Sequence, residues 1–203
     1  MMKLILASSS PRRRELLSQI GVSFDVMSAD IDETPLASEP ASEYVVRMAR
    51  EKVMACTSSL EGLQTVTILG ADTSVIVDGD ILGKPDNYES AKEMLLKLSG
   101  REHQVMTSIC VVTCSLGRTP ESADLMTRLV TTDVKFRPLS EGQIQSYWNS
   151  GEPQDKAGAY GIQGFGAVFV DSIKGSYSAV VGLPLAETAE LLSTAGVAIW
   201  QQY

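Results

Sequence analysis

Hydrophobic positions follow two kinds of spacing along this chain, and the changes between them divide it into elements. The apolar run KLILA at 3–7 predicts a short buried strand, and Ser10-Pro11 after it predicts a helix start whose amphipathic segment ends near Gly21. Residues 24–27 predict a second strand. The stretch 29–41 is acidic, carries two prolines and has no period, so it reads as a loop. From 42 to about 56, Val45, Ala49 and Val53 recur at i, i+4 and i+8, the spacing of one helix face.

Further on, TVTILGAD (65–72) reads as a strand ending at a small-residue turn, and SVIVDGDIL (74–82) as a hairpin about Asp78-Gly79. Residues 87–99 predict a helix with Ala91, Met94, Leu95 and Leu98 inward and Gly100 just past its end. Residues 103–114 and about 129–136 read as a long antiparallel pair, joined through the segment near 117–120. Ser140 and Gln143 make a capping box for a helix ending near Gly151. The next stretch, GEPQDKAGAYGIQGFGA (151–167), is rich in glycine and fits neither period; it marks backbone that turns sharply or approaches something closely. Strands at 167–173 and 177–181 and a helix over 184–194 complete the reading. Strands alternate with helices but hairpins are present, so the expected architecture is α/β with a mixed central sheet flanked by helices.

Composition narrows the partners. The chain has 203 residues, 44% hydrophobic and 21% charged, enough for one substantial core or two closely joined lobes, and a single domain over 1–203 is expected. A net charge of −8 argues against nucleic acid or an anionic membrane as partner. The opening MMKLILASS has too short an apolar run for a secretory signal, and no later stretch has the length of a membrane span, so the expected location is the cytoplasm. Cys56, Cys110 and Cys114 lack C-x-x-C spacing and read as reduced core residues. One histidine, His103, excludes multi-histidine metal sites; any metal should sit on carboxylate and water oxygens, which suit magnesium or manganese.

Four segments carry candidate chemistry. In SSSPRRR (8–14), Ser10 is a candidate N-cap and Pro11 suits the first helical position. Arg12, Arg13 and Arg14 then crowd a first turn that already favours anions. A bound phosphate resolves that conflict, since helix N-termini hold phosphate and arginine adds bidentate donors. GADT (70–73) places Asp72 at an expected strand end, as a metal ligand or base. GDILGKP (79–85) has the wrong spacing for a Walker motif, but Lys84 can reach a phosphate as a flexible charge; Lys52 in REK (50–52) can do the same or be an ordinary solvated lysine. The glycine-rich stretch carries Asp155, Lys156 and Gln163, a combination suited to lining a site.

Taken in order, LASSSPRR, REK, GADT, GKP, GEPQDKAGAYGIQG and VVGLP resemble the Maf family of nucleoside triphosphate pyrophosphatases over nearly the whole chain, and most closely its dTTP/UTP branch. The resemblance implies an elongated, two-lobed, ITPase-like fold with a central cleft, a divalent cation (Mg2+ or Mn2+), and a homodimer. It implies that Asp72 is the proton acceptor, that Ser8, Arg13, Lys52, Lys84 and Lys156 bind substrate, that Glu33, Asp72 and Asp155 hold the metal, and that Arg12, Thr73 and Gln163 set substrate choice. The implied reaction is hydrolysis of dTTP and UTP, modified uridine triphosphates included, to the monophosphate and pyrophosphate. Two other readings stand beside it: a non-catalytic nucleotide-binding regulator of septum formation, and a pyrophosphatase for purine or modified nucleotides.

Overall fold

Strand β1 (Lys3–Ala7) lies in parallel register between β2 (Asp25–Val26) and β3 (Val66–Val77), with Ala7 beside Gly70. The chain is seen in a computed structural model that describes residues 3–58, 65–114 and 124–200. Among these residues, β4 (Asp80–Leu82), β5 (Glu102–Cys114), β6 (Met126–Phe136) and β7 (Val170–Lys174) complete a seven-stranded sheet of order β2-β1-β3-β5-β6-β7, with β4 also on β3. β4 and β7 pair antiparallel to β3 and β6, so the sheet is mixed, as the alternation of elements predicts. The link near 117–120 lies outside the described residues. No helix among those described is long and apolar enough to cross a membrane.

Two units emerge from the packing. The first comprises Met1–Asp72, Thr107–Leu129 and Gly182–Tyr203; the second comprises Thr73–Met106 and Val130–Val181. In the first, α1 (Pro11–Gln19), α2 (Ala41–Ser58) and α6 (Leu185–Thr194) bury Leu16, Leu17, Val45, Met48, Ala49, Val53 and Leu191. Gly70 lets α2 close directly onto β3: a Cβ there would stand 2.6 Å from Val53 and 2.7 Å from the Ala49 carbonyl, closer than atoms tolerate.

In the second unit, α3 (Tyr88–Leu98) and α4 (Glu141–Asn149) begin at reciprocal capping boxes, Asn87 with Ser90 and Ser140 with Gln143. Their apolar faces pack with Val75, Phe136, Tyr160 and Phe169. One expected strand starts late and another is absent. The strand expected over 167–173 runs as β7 over 170–174, after a 3-10 turn at 165–169, and 177–181 form a short helix, α5 (Tyr177–Val181), instead of a strand. Ser176 Oγ accepts from the Ala179 amide, an N-terminal cap that starts the helix in spite of its β-branched residues.

His103 sits inside this second core, with Nε2 2.8 Å from the Tyr160 hydroxyl and its ring edge-on to Phe136; Nδ1 has no hydrogen-bond partner among the described residues. Burial pushes the imidazole from 6.5 down to about 4. Between those values the unfolded chain binds a proton that the native state refuses, so stability falls as pH drops from about 6.5 to about 4 and levels off below. At about 1.4 kcal/mol per pH unit the loss is ~3 kcal/mol. Denaturant titrations at pH 7 and pH 4 should show that increment in the wild type and lack it in His103→Gln; equal acid sensitivity in both proteins would place the titrating group elsewhere.

Candidate active site

The parallel pairing of β1 with β3 fixes the first half of the site. Where β1 ends at Ala7, β3 continues, so Ser8 emerges as Asp72 arrives two residues past Gly70. Asp72 therefore stands inside a continuous twelve-residue strand, not at a strand end as its small neighbours suggest. It is buried, and one oxygen, Oδ1, accepts from Lys52 Nζ at 2.7 Å. Lys52 is itself buried, which corrects the reading of it as a solvated lysine. It lies on the inward face of α2 with Met48, Ala49, Val53 and Cys56, and the contact of α2 with Gly70 carries its ammonium to the strand. The same ammonium stands 2.7 Å from Glu33 Oε1, so two carboxylates share one lysine.

Glu33 comes from the acidic loop, which α2 holds in place. The Tyr44 hydroxyl donates to the Glu33 carbonyl at 2.8 Å, and Arg47 donates to the Thr34 carbonyl while gripping both oxygens of Glu39 at 2.6 and 2.7 Å. That grip holds the Glu39 carboxyl down to about 2. Burial pushes the Tyr44 hydroxyl up to about 12, with the negative charge of Asp72 and then Glu33 adding to the effect.

Arg13 turns inward from α1. Its Nε donates to the Gly182 carbonyl at 2.9 Å and one terminal nitrogen to Ser8 Oγ at 3.3 Å. Gly182 has φ +133°, a backbone conformation that favours glycine, and it aims that carbonyl. Burial lowers the Arg13 guanidinium from its ordinary value; Arg12 adds to this, while Asp72 and Glu33 oppose it. Arg12, like Arg13, is half-buried, and Arg14 is exposed. Ser10 occupies the N-cap position, but its side chain makes no capping bond; its amide instead donates to Ser8 Oγ. The first turn of α1 thus starts without a side-chain cap.

Ser8, Arg12, Arg13, Glu33, Lys52 and Asp72 all belong to the first unit. Thr73, Lys84, Asp155, Lys156 and Gln163 belong to the second. There Lys156 donates to the Glu152 carbonyl at 2.6 Å and pairs with Asp155 at 2.7 Å, while Lys84 and Gln163 are exposed. The glycine-rich stretch is anchored by a residue that sequence reasoning did not single out, Glu152, whose carboxylate takes two amides and a hydroxyl. Nothing in the period or spacing signals it.

Among the described residues, no three His, Cys, Asp or Glu side chains gather as a metal-holding group. The carboxylate pair on Lys52 does suit a hard cation of the magnesium type, which commonly takes one or two protein carboxylates and completes its shell with phosphate and water oxygens. Cys56 and Cys110 are buried, as core residues should be, whereas Cys114 is half-buried; burial pushes Cys110 up to about 11 and raises Cys56 and Cys114.

Comparison with known proteins adds to this geometry. A family model described as "Maf-like protein" matches residues 3–195. A dTTP/UTP pyrophosphatase of Hahella chejuensis is 50% identical over 98% of this chain and 94% of its own. One from Pseudoalteromonas atlantica is 53% identical over 96% and 98%. A solved structure of a nucleoside-triphosphatase / dITP/XTP pyrophosphatase from Mycobacterium abscessus covers 96% of this chain and 95% of its own at 16% identity and a TM-score of 0.42.

Proposed function

The chain belongs to the Maf-like protein family, and we propose that it is a nucleoside triphosphate pyrophosphatase that hydrolyses dTTP and UTP to the monophosphate and pyrophosphate. The observation that supports this most is the buried Asp72 carboxylate, held by Lys52 in the same unit as the inward-turned Arg13 at the start of α1. A carboxylate that orients water and a cradle that takes phosphate are the two parts that hydrolysis of a phosphoanhydride needs.

Phosphoryl transfer of this kind asks a protein for positioning and charge stabilisation more than for covalent chemistry. Asp72 orients the attacking water through the oxygen not engaged by Lys52 and takes its proton. Arg13, braced by Ser8 and Gly182, presents a fixed guanidinium to phosphate oxygens. Lys52 holds Asp72 and Glu33 in register, and its charge offsets half of theirs when no substrate is present. Glu33 and Asp72 would hold a divalent cation, magnesium or manganese, which supplies Lewis-acid polarisation of a phosphoryl oxygen. Roles for Lys84 and Lys156 at the phosphates, for Asp155 at the cation, and for Arg12 and Thr73 in substrate choice rest on the motif match. The same proposal places the protein in the cytoplasm and makes it a homodimer, which sedimentation equilibrium checks by the mass it returns.

Base choice falls to Gln163. Its amide offers a donor for O4 and an acceptor for N3–H of uracil or thymine, whereas glutamate offers only acceptors, which suit the N1–H and N2–H edge of guanine. The Gln163 side chain has no hydrogen-bond partner among the described residues, so both halves of the amide are available. Pyrophosphate release across a nucleotide panel with magnesium or manganese tests the activity; no release from dTTP or UTP would refute it. Gln163→Glu should lower the UTP-to-GTP preference roughly ten- to a hundredfold, the cost of mispairing one polar group. An unchanged preference would remove Gln163 from base reading.

A further inference from the structure

We propose that Glu152 is a positioning residue for base selection: its carboxylate, with the Tyr147 hydroxyl, ties down both flanks of the glycine-rich segment and so fixes where Gln163 presents its amide. The inference rests on the reading of Gln163 as the base-reading residue.

Gln163 sits on an exposed turn with its side chain unengaged. Left alone, such a turn would sample many positions, and an amide that wanders cannot discriminate between base edges. What restrains it lies on both sides. On the C-terminal flank, the Phe165 amide donates to Glu152 Oε2 at 2.7 Å and the Gly166 amide to Oε1 at 3.0 Å. On the N-terminal flank, the Gly161 amide donates to the Tyr147 hydroxyl at 3.0 Å, and that hydroxyl donates in turn to Glu152 Oε1 at 2.8 Å. Two stretches of backbone, one before and one after Gln163, therefore converge on a single carboxylate.

The glycines explain how they come so close. A Cβ on Gly164 would fall on the Glu152 carboxylate itself, and one on Gly166 would stand 2.7 Å from both the Tyr147 hydroxyl and the Gly161 carbonyl. A Cβ on Gly161 would meet the Lys156 side chain at 2.7 Å. The glycine-rich composition is thus a packing requirement of the chain wrapped about Glu152, not a sign of looseness. Burial alone would raise the Glu152 carboxyl, but the Gly166 amide, the Tyr147 hydroxyl, the Phe165 amide and the Lys156 charge outweigh it and keep the group ionised. Ionisation matters because three donors point at two oxygens, and a neutral amide in its place would turn an N–H against one of them. Glu152 also carries, on its own carbonyl, the hydrogen bond that holds Lys156.

The test compares kcat/KM for UTP and GTP in the wild type, Glu152→Gln, Tyr147→Phe, Gln163→Glu and the double variant Glu152→Gln/Gln163→Glu, alongside amide exchange of residues 161–166. Glu152→Gln should lower the UTP-to-GTP ratio about tenfold, chiefly through KM for UTP, and speed exchange at 161, 165 and 166. Tyr147→Phe, which removes one oxygen and leaves the ring packed on Phe169, should do the same to a smaller degree. In the double variant the ratio should be no lower than in Gln163→Glu alone, because one residue acts through the other. A merely structural Glu152 would lower thermal stability and both substrates' kcat/KM together, leaving the ratio alone, and that result overturns the proposal. If Gln163→Glu itself leaves the ratio unchanged, it is the base-reading assignment that fails, and with it the premise. Should Glu152→Gln not fold, Tyr147→Phe decides alone: an unchanged ratio with loosened amides overturns the proposal.

Discussion

Asp72→Asn should fold as the wild type does and turn over UTP and dTTP about 10²–10⁴-fold more slowly, the usual range for losing a positioned general base. The substitution keeps the shape of the side chain and an oxygen for Lys52, and the ammonium still has Glu33 at 2.7 Å, so no buried charge is orphaned. β3 runs unbroken through the position, and its pairing with β1 is made by the backbone of residues before Asp72, not by the carboxylate. What the amide cannot do is accept a proton from water or share a divalent cation as an anion. The loss should therefore appear in kcat, with the thermal midpoint moving little. Single-turnover rates with saturating UTP separate chemistry from product release. A variant within a fewfold of the wild-type rate would show that water is activated elsewhere.

Much of this site could be read from residue types, but its geometry could not. SSSPRRR pointed to an anion-binding helix start on charge alone, and Pro11 does open α1. Yet the inward turn of Arg13 has no local signal, because the partner that selects it, the Gly182 carbonyl, is 169 residues away. GADT looked like a turn since small residues usually break strands. Here Gly70 is small because α2 presses on it, and β3 is buried on both faces, so it shows no alternation to follow. Lys52 was legible in principle: it shares a helix face with Val45, Ala49 and Val53, and a lysine on an apolar stripe needs a partner. Residues 167–169 misled for the opposite reason. Their apolar run AVF suggests the start of a strand, but they complete a turn whose first two amides, those of Phe165 and Gly166, are claimed by Glu152, a carboxylate thirteen and fourteen residues earlier in the chain. Local propensity loses wherever a distant side chain takes the backbone donors.

The shared ammonium makes the second large prediction. Lys52→Met preserves the length and apolar stem of the side chain, so α2 keeps its packing on Gly70, but it leaves the buried Asp72 and the half-exposed Glu33 without their common cation. Removing one partner of a buried ion pair typically costs about 3–5 kcal/mol, because the remaining charge stays desolvated. Solvent reaches Glu33, whose side chain is 51% exposed, so Asp72 carries most of that cost and Glu33 little of it. Arg13 offsets part of it from the other side, being close enough for Asp72 to act on its own charge. Neutralising Asp72 as well should then restore stability: Lys52→Met/Asp72→Asn should unfold at a higher denaturant concentration than Lys52→Met alone, with an interaction energy of about 1–3 kcal/mol in the double-mutant cycle. If Asp72→Asn is equally costly in both backgrounds, the two side chains are not coupled, and the assignment of Lys52 as the residue that holds the catalytic carboxylate in place has to be abandoned.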